Sequence, residues 1–191
     1  MSENREGGTA VYDITLKINA RLQPIDRGDE YEDPIGEALE SRGLGEVTGG
    51  GTMLESTGEV KYCEVDLSLE DGSEQTMEAL LQILDEIGVP KGSVLQWEGH
   101  KQPVGRLEGM GFYANGTELP LEVYQNCDIN VVIRDMESLM EGVGRFYSYW
   151  EGPEDTALYF YGTSFEEMRG RIEKFVEEYP LCHKSRIVRI A

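Results

Sequence analysis

An alternation of apolar and polar residues between Tyr12 and Leu22 constrains the fold more than any other feature of the chain. The apolar positions are Tyr12, Ile14, Leu16, Ile18, Ala20 and Leu22. A period of two residues is typical of a β-strand that buries one face. The pattern therefore predicts a long, half-buried strand that ends before Pro24.

The residues that follow this strand predict the element order β-α-β-β-α-β for the first half of the chain. The predicted elements are an acidic loop over 26–33, a short helix over 33–41, strands over 46–54 and 60–69, a helix over 73–87 and a strand over 94–97. The Asp33-Pro34 pair is typical of a helix start, since aspartate caps the first turn and proline fits the first helical position.

The second half predicts the same order with different residues. Its predicted elements are a strand over 126–134, a helix over 136–144, a hairpin over 147–161, a helix over 164–179 and a strand over 186–190. Met77 and Met168 lie 91 residues apart, and the same offset aligns Ser73 with Ser164. An offset near half the chain length indicates duplication of one unit.

These patterns predict an α+β protein built from two tandem ferredoxin-like units, since the split βαβ motif has this element order. The predicted domains are an acidic unit over 1–98, a linking β-hairpin over 99–125 and a second unit over 126–191. The hairpin is predicted from Asn115-Gly116 between apolar runs, because Asn-Gly favours tight turns. One continuous sheet across both halves is the alternative.

The net charge of −20 is carried mainly by the first half. Residues 1–98 hold 22 acidic and 7 basic residues, whereas residues 99–191 hold 15 and 10. A strongly acidic surface repels nucleic acid and favours a basic protein partner. The alternative is that the host raises surface charge throughout its proteome for salt tolerance.

Two groups of residues are candidates for binding a protein partner. The acidic group would attract it and comprises Asp26, Asp29, Glu30, Glu32, Asp33, Glu64 and Asp66. The aromatic group would anchor it and comprises Tyr149, Trp150, Tyr159 and Tyr161. Aromatic side chains often dominate binding energy at interfaces. The alternative for this aromatic hairpin is coverage by the other unit.

A glycine-rich run offers a candidate ligand loop, comprising Gly49, Gly50, Gly51 and Thr52. Thr48 occupies the position of the third glycine of a dinucleotide fingerprint, and no helix follows to hold a phosphate. A bulged strand is therefore favoured over a ligand site. The alternative function is a small-molecule-binding regulator that uses this loop and the cleft between the two units.

The chain offers few groups for catalysis. It contains only His100 and His183, and its three cysteines are widely spaced, so we expect no catalytic residue, metal site or cofactor. Because the start of the sequence lacks a signal peptide and no apolar run is long enough to span a membrane, we expect a cytoplasmic protein.

The stretch Ala157-Leu158-Tyr159-Phe160-Tyr161-Gly162, with the helix up to Tyr179-Pro180-Leu181-Cys182, resembles the closing β-α-β part of the regulator of ribonuclease activity B proteins. The resemblance implies an acidic, ferredoxin-like cytoplasmic protein that acts by binding an enzyme. The leading hypothesis is therefore a non-catalytic inhibitor, immunity factor or regulator of a basic partner, such as a nuclease. Homo-oligomers are compatible with it.

Overall fold

The predicted first strand lies at the centre of a five-stranded antiparallel sheet. The computed structural model describes residues 12–191, and the strands of this sheet are β1 (Tyr12–Ile18), β2 (Gly45–Leu54), β3 (Val60–Leu69), β4 (Ser93–Trp97) and β5 (His100–Val104). Their order across the sheet is β2-β3-β1-β4-β5. Burial continues to alternate beyond β1, where Ala20 and Leu22 are fully buried. The alternation therefore predicted the buried face correctly, although the strand itself ends at Ile18.

Helices cover one face of this first sheet. They are α1 (Pro24–Arg27), which continues through a π-helical turn (Gly28–Glu32) into α2 (Asp33–Arg42), and α3 (Glu74–Ile87). The core between helices and sheet contains Leu16, Val65, Ile35 and Leu80, all fully buried. Ser73 caps α3 by accepting a hydrogen bond from the Thr76 backbone N–H, as its sequence position predicts.

The second sheet is four-stranded and antiparallel. Its elements are β6 (Glu108–Asn115), α4 (Leu121–Asn126), α5 (Ile129–Leu139), β7 (Gly144–Glu151), β8 (Asp155–Gly162), α6 (Phe165–Glu178), a 3-10 turn (Pro180–Cys182) and β9 (Arg186–Arg189). The strand order is β7-β8-β6-β9. The protein is therefore α+β, with two antiparallel sheets rather than one continuous sheet.

The predicted boundary between the halves is wrong. Residues 99–125 do not form a linking hairpin, because β5 extends the first sheet and β6 is a central strand of the second. Asn115 accepts hydrogen bonds from the backbone N–H groups of Thr117 and Glu118, so the Asn-Gly turn leads into α4 instead of a returning strand.

The strand predicted over 126–134 is also wrong, because this segment contains most of α5. Its β-branched residues favour strands by propensity. Val132 and Met136, however, lie four residues apart on one buried helix face, and Asp128 caps the helix by accepting from the Asn130 N–H. Packing against the second sheet outweighs local propensity here.

The acidic loop predicted over 26–33 is helical. Pro24 stands at the first helical position, and Tyr31, Ile35 and Leu39 are buried at four-residue intervals along the continuous helical segment. Glycine and aspartate in this segment suggested a loop, but burial of this stripe favours the helix.

One face of the second sheet packs against the first unit. The face of the second sheet that its own helices leave free carries Tyr113, Tyr147, Tyr159 and Tyr161, and these side chains belong to the core of the first unit. Among the helices of residues 12–191, none combines the length and the apolar composition that a membrane span requires.

Candidate functional site at the acidic edge of the first sheet

Six carboxylates surround β2, which is an edge strand of the first sheet; we call them the acidic edge. They are Asp33, Glu37 and Glu40 on α2, Glu46 on β2, and Glu64 and Asp66 on β3. Within residues 12–191, none of the six forms a salt bridge. The site therefore concentrates negative charge that the described residues leave uncompensated.

The α2 part of the acidic edge forms a shallow groove. Asp33, Glu37 and Glu40 recur at helical spacing along the outer surface of α2. Gly36 and Val47 form the apolar floor between this helix and β2, and the groove has a volume of about 340 Å³. Carboxylates along such a groove can bind lysine or arginine side chains.

The other part lies on the sheet face opposite the helices. The register pairs Lys17 with Glu64 and Thr15 with Asp66, so β1 and β3 are neighbours. Asp66 accepts a hydrogen bond of 2.7 Å from the Thr15 hydroxyl. The Lys17 ammonium lies 3.5 Å from the centroid of the Tyr62 ring, where it forms a cation-π contact instead of a salt bridge with Glu64.

The acids of the predicted loop divide into two groups. Glu30 pairs with Arg145 of the second unit, Glu32 pairs with Arg27 at 2.5 Å, and Asp26 accepts from the Ser148 hydroxyl at 2.5 Å. These three carboxylates are therefore paired with other side chains of the same protein. Asp29 and Asp33 are exposed, and only Asp33 belongs to the acidic edge.

The candidate ligand loop of Gly49, Gly50, Gly51 and Thr52 is part of β2. A register shift between Val47 and Gly49 confirms the predicted bulge. A Cβ at Gly50 would lie 2.6 Å from Glu32 Oε1, and Arg27 donates to the Thr52 hydroxyl. The chain's own Arg27–Glu32 pair therefore occupies the helix side of this run.

Tyr159 and Tyr161 are candidate anchors for a partner, but they are 0% and 1% exposed, so that prediction is wrong for these two residues. The first unit covers them, as the alternative predicted. Tyr149 is 47% exposed, and Trp150 is half-buried beside Gly58. An aromatic patch across the whole hairpin is thus absent from the surface of the described residues.

Sequence reasoning missed a polar cluster beneath that coverage. Tyr113 and Tyr159 donate hydrogen bonds of 2.6 and 2.7 Å to Glu59 Oε1, and Arg21 pairs with the same carboxylate. The uninterrupted apolar run in β8 could have signalled it, because a strand buried on both faces needs partners for its tyrosine hydroxyls.

The cluster shifts the pKa values of its members. Burial alone would raise the pKa of Glu59, but hydrogen bonds from Tyr113 and Tyr159 and the charge of Arg21 lower it below its usual value. Burial and the hydrogen bond to Glu59 raise the pKa of Tyr113 to about 12. At neutral pH the cluster is an ionised carboxylate held by two neutral phenols and a guanidinium, which joins the two units.

The two histidines do not converge. His100 stacks on Trp97, whereas the His183 ring contacts the Glu177 carbonyl oxygen in the second unit. Burial raises the pKa of the Cys63 thiol, and burial raises that of Cys182 to about 12. Among residues 12–191, no group of three or more histidine, cysteine or acidic side chains is arranged to hold a metal ion.

No protein-family model and no curated protein matches the chain. The first two RRM domains of a yeast poly(U)-binding protein are 12% identical, with 93% of this chain and 99% of that one covered and a TM-score of 0.27. The regulatory subunit of Thermus thermophilus aspartate kinase is 12% identical, with coverages of 87% and 96% and a TM-score of 0.28. A mutant chlorite dismutase from Candidatus Nitrospira defluvii is 8% identical, with coverages of 95% and 92% and a TM-score of 0.30.

Proposed function

We propose that the protein is a non-catalytic binding protein that regulates a basic partner protein through its acidic first unit. The uncompensated acidic edge carries this proposal, because carboxylates without internal partners are available to steer and hold cationic side chains. An enzyme partner such as a nuclease agrees with the resemblance of the C-terminal segment to ribonuclease regulators. The net charge of −20 favours a protein over a nucleic acid as the partner.

The placement of the reactive side chains supports binding rather than catalysis. The two histidines are held in different units, and the raised pKa values keep the Cys63 and Cys182 thiols protonated at neutral pH. A protonated thiol is a poor nucleophile. The free cysteines suit a reducing cytoplasm, which is the location we propose.

Tandem duplication of a ferredoxin-like unit is part of the same proposal. The order β2-β3-β1-β4 in the first sheet matches β7-β8-β6-β9 in the second, with β5 as an addition. Helices α3 and α6 have equal lengths, begin after serine caps and lie 91 residues apart. We infer that one copy became the acidic binding unit, while the sheet of the other copy came to pack against that unit and stabilise it.

Affinity capture with a matched charge variant tests the proposed function. The wild-type protein, Glu37→Gln/Glu40→Gln and the control Glu173→Gln/Glu177→Gln on α6 would each be immobilised, and captured proteins quantified at low and high salt. We expect a defined basic protein to be retained by wild type and control at low salt and depleted on the acidic-edge variant. Equal capture by all three would contradict the proposal.

A second candidate function rests on a groove of about 620 Å³ on the open face of the first sheet. Thr15, Gln96 and Lys101 line it, so it offers hydrogen-bond donors and acceptors to a small polar ligand. Its place differs from the predicted cleft between the units, which packed tyrosines fill. A metabolite that raises the melting temperature of wild type but not of Gln96→Ala would support this function.

A further inference from the structure

The outer edge of β2 is an open hydrogen-bonding surface. The backbone groups of Gly45–Leu54 bond only to β3 within residues 12–191, so those that point away from β3 have no protein partner there. An edge strand with unpaired N–H and C=O groups can pair with another extended chain. Between its two register shifts, the stretch from Gly49 to Met53 is regular.

The other three sheet edges carry features that hinder such pairing. Pro103 lies in β5, the opposite edge of the first sheet, where it lacks an N–H group. In β7, an edge of the second sheet, side chains already bind backbone groups: Glu137 accepts from the Phe146 N–H, and Gln23 donates to the Tyr149 carbonyl oxygen. The short β9 begins and ends with arginine. By comparison, β2 carries neither lysine nor proline and is ten residues long.

A strand added beside β2 would meet carboxylates on both sides. Its side chains would point alternately to the α2 side, where Glu37 and Glu40 lie, and to the open face, where Glu64 and Asp66 lie. On the open face, an added Cβ at Gly51 would meet nothing within 4 Å. Bulky side chains therefore fit over Gly51, next to the 47% exposed Met53.

We propose that β2 accepts an extended, basic segment of the partner protein as a sixth strand of the first sheet, a refinement that rests on the proposed function. Backbone hydrogen bonds to the open edge hold the segment, and lysine or arginine side chains at alternate positions bind the α2 carboxylates. A second copy of this chain fits less well, since pairing two β2 strands would bring two acidic edges together.

Alternating peptides test the strand geometry. The probe is a fluorescent peptide of alternating lysine and valine, compared by anisotropy with one in which glutamate replaces lysine. Two further lysine peptides carry N-methyl groups, one on every lysine amide and the other on every valine amide. Because alternate amides of a strand point to opposite edges, we expect one methylated peptide to lose at least tenfold in affinity and the other to bind normally.

Hydrogen exchange and the acidic-edge variant locate the bound peptide. We expect the lysine peptide to slow exchange at 45–54 and to leave 100–104 unchanged. Glu37→Gln/Glu40→Gln should weaken binding by about 3- to 10-fold at low salt, whereas Glu173→Gln/Glu177→Gln should not. Protection of another segment, or equal binding by both variants, would overturn the assignment to β2.

The outcomes separate the two proposals. Equal binding by both methylated peptides, with loss only for the glutamate peptide, would overturn strand addition and leave the proposed function standing. Equal binding of the lysine and glutamate peptides would contradict the proposed function as well. A dimer in sedimentation, with β2 amides protected in the unliganded protein as its concentration rises, would identify a second copy as the occupant and overturn the proposal.

Discussion

The two sheets use the face opposite their helices in different ways. In the second sheet this face carries Gly109, Gly111 and four tyrosines, and the first unit covers it. In the first sheet it carries Thr15, Lys17 and Asp66 and is not covered by the second unit. A similar framework therefore provides an internal interface in one unit and a polar surface in the other.

The comparison shows that side-chain chemistry, more than connectivity, decides which face becomes an interface. Added Cβ atoms at Gly109 and Gly111 would lie 2.7 and 2.9 Å from tyrosine ring atoms, so the glycines make room for the rings. The hydroxyls of Tyr113 and Tyr159 donate to Glu59, and the Tyr161 hydroxyl accepts from the Arg21 N–H. Charged residues on the first sheet are hydrated or available to a partner.

The largest expected effect is from Tyr159→Ala in the covered face. Loss of this fully buried ring should lower the free energy of unfolding by about 3–5 kcal/mol, as for other buried aromatic residues. Tyr62→Ala on the open face is the matched control and should cost about 1 kcal/mol or less. Denaturant unfolding measures both. Equal losses would contradict the distinction between the two faces.

Glu59→Gln should give the next largest effect, about 2 kcal/mol, because the ionised carboxylate binds Arg21 and accepts from two phenols. The lowered pKa of Glu59 also sets the direction in which stability depends on pH. The contribution of the Glu59 carboxylate to the free energy of unfolding is present above the unfolded-state pKa near 4.5, and it is lost as pH falls through the lower folded-state pKa.

Denaturant unfolding between pH 7 and pH 3 measures this dependence. Wild type should lose more stability on acidification than Glu59→Gln, because the variant has no proton to gain at this site. Parallel pH profiles for the two proteins would show that Glu59 does not join the units through its charge.

Sequence patterns predicted the fold better where one face of an element was buried. The alternation around β1, the caps of α3 and α6, and the β7-β8 hairpin were visible in the residues themselves. Shifting the β1 range by the 91-residue offset reaches residues 103–109, of which only Glu108 and Gly109 lie in β6. The offset between the long helices therefore did not locate the first strand of the second sheet, and the β-branched residues of α5 favoured the wrong strand.

The site was harder to predict, because burial and pairing depend on contacts distant in sequence. Glu30 resembles Asp33 in its acidic surroundings, yet Glu30 pairs with Arg145, which is 115 residues away. Tyr149 and Tyr159 lie in the same hairpin, but only Tyr159 is beneath the first unit. Composition gives the number of charges and rings, whereas tertiary packing decides which remain exposed.

A smaller effect is expected at the glycine run of β2. Gly50→Ala places a methyl group 2.6 Å from Glu32 Oε1 and 2.8 Å from the Glu64 carbonyl oxygen, so the Arg27–Glu32 pair must shift at a cost of about 1–2 kcal/mol. Gly51→Ala is the control, because its methyl group meets no atom within 4 Å. Unfolding curves showing equal stability for both variants would indicate that the ion pair does not depend on Gly50.

The smallest expected effect is from Asp66→Ala on the open face, within about 0.5 kcal/mol of the wild-type free energy of unfolding. The side chain is exposed, and the Thr15 hydroxyl that it binds can donate to water instead. Added salt should change the stability of wild type and variant alike, since exposed charges are screened. A loss above about 2 kcal/mol, comparable to that for Glu59→Gln, would show that the open face stabilises the fold as the covered face does.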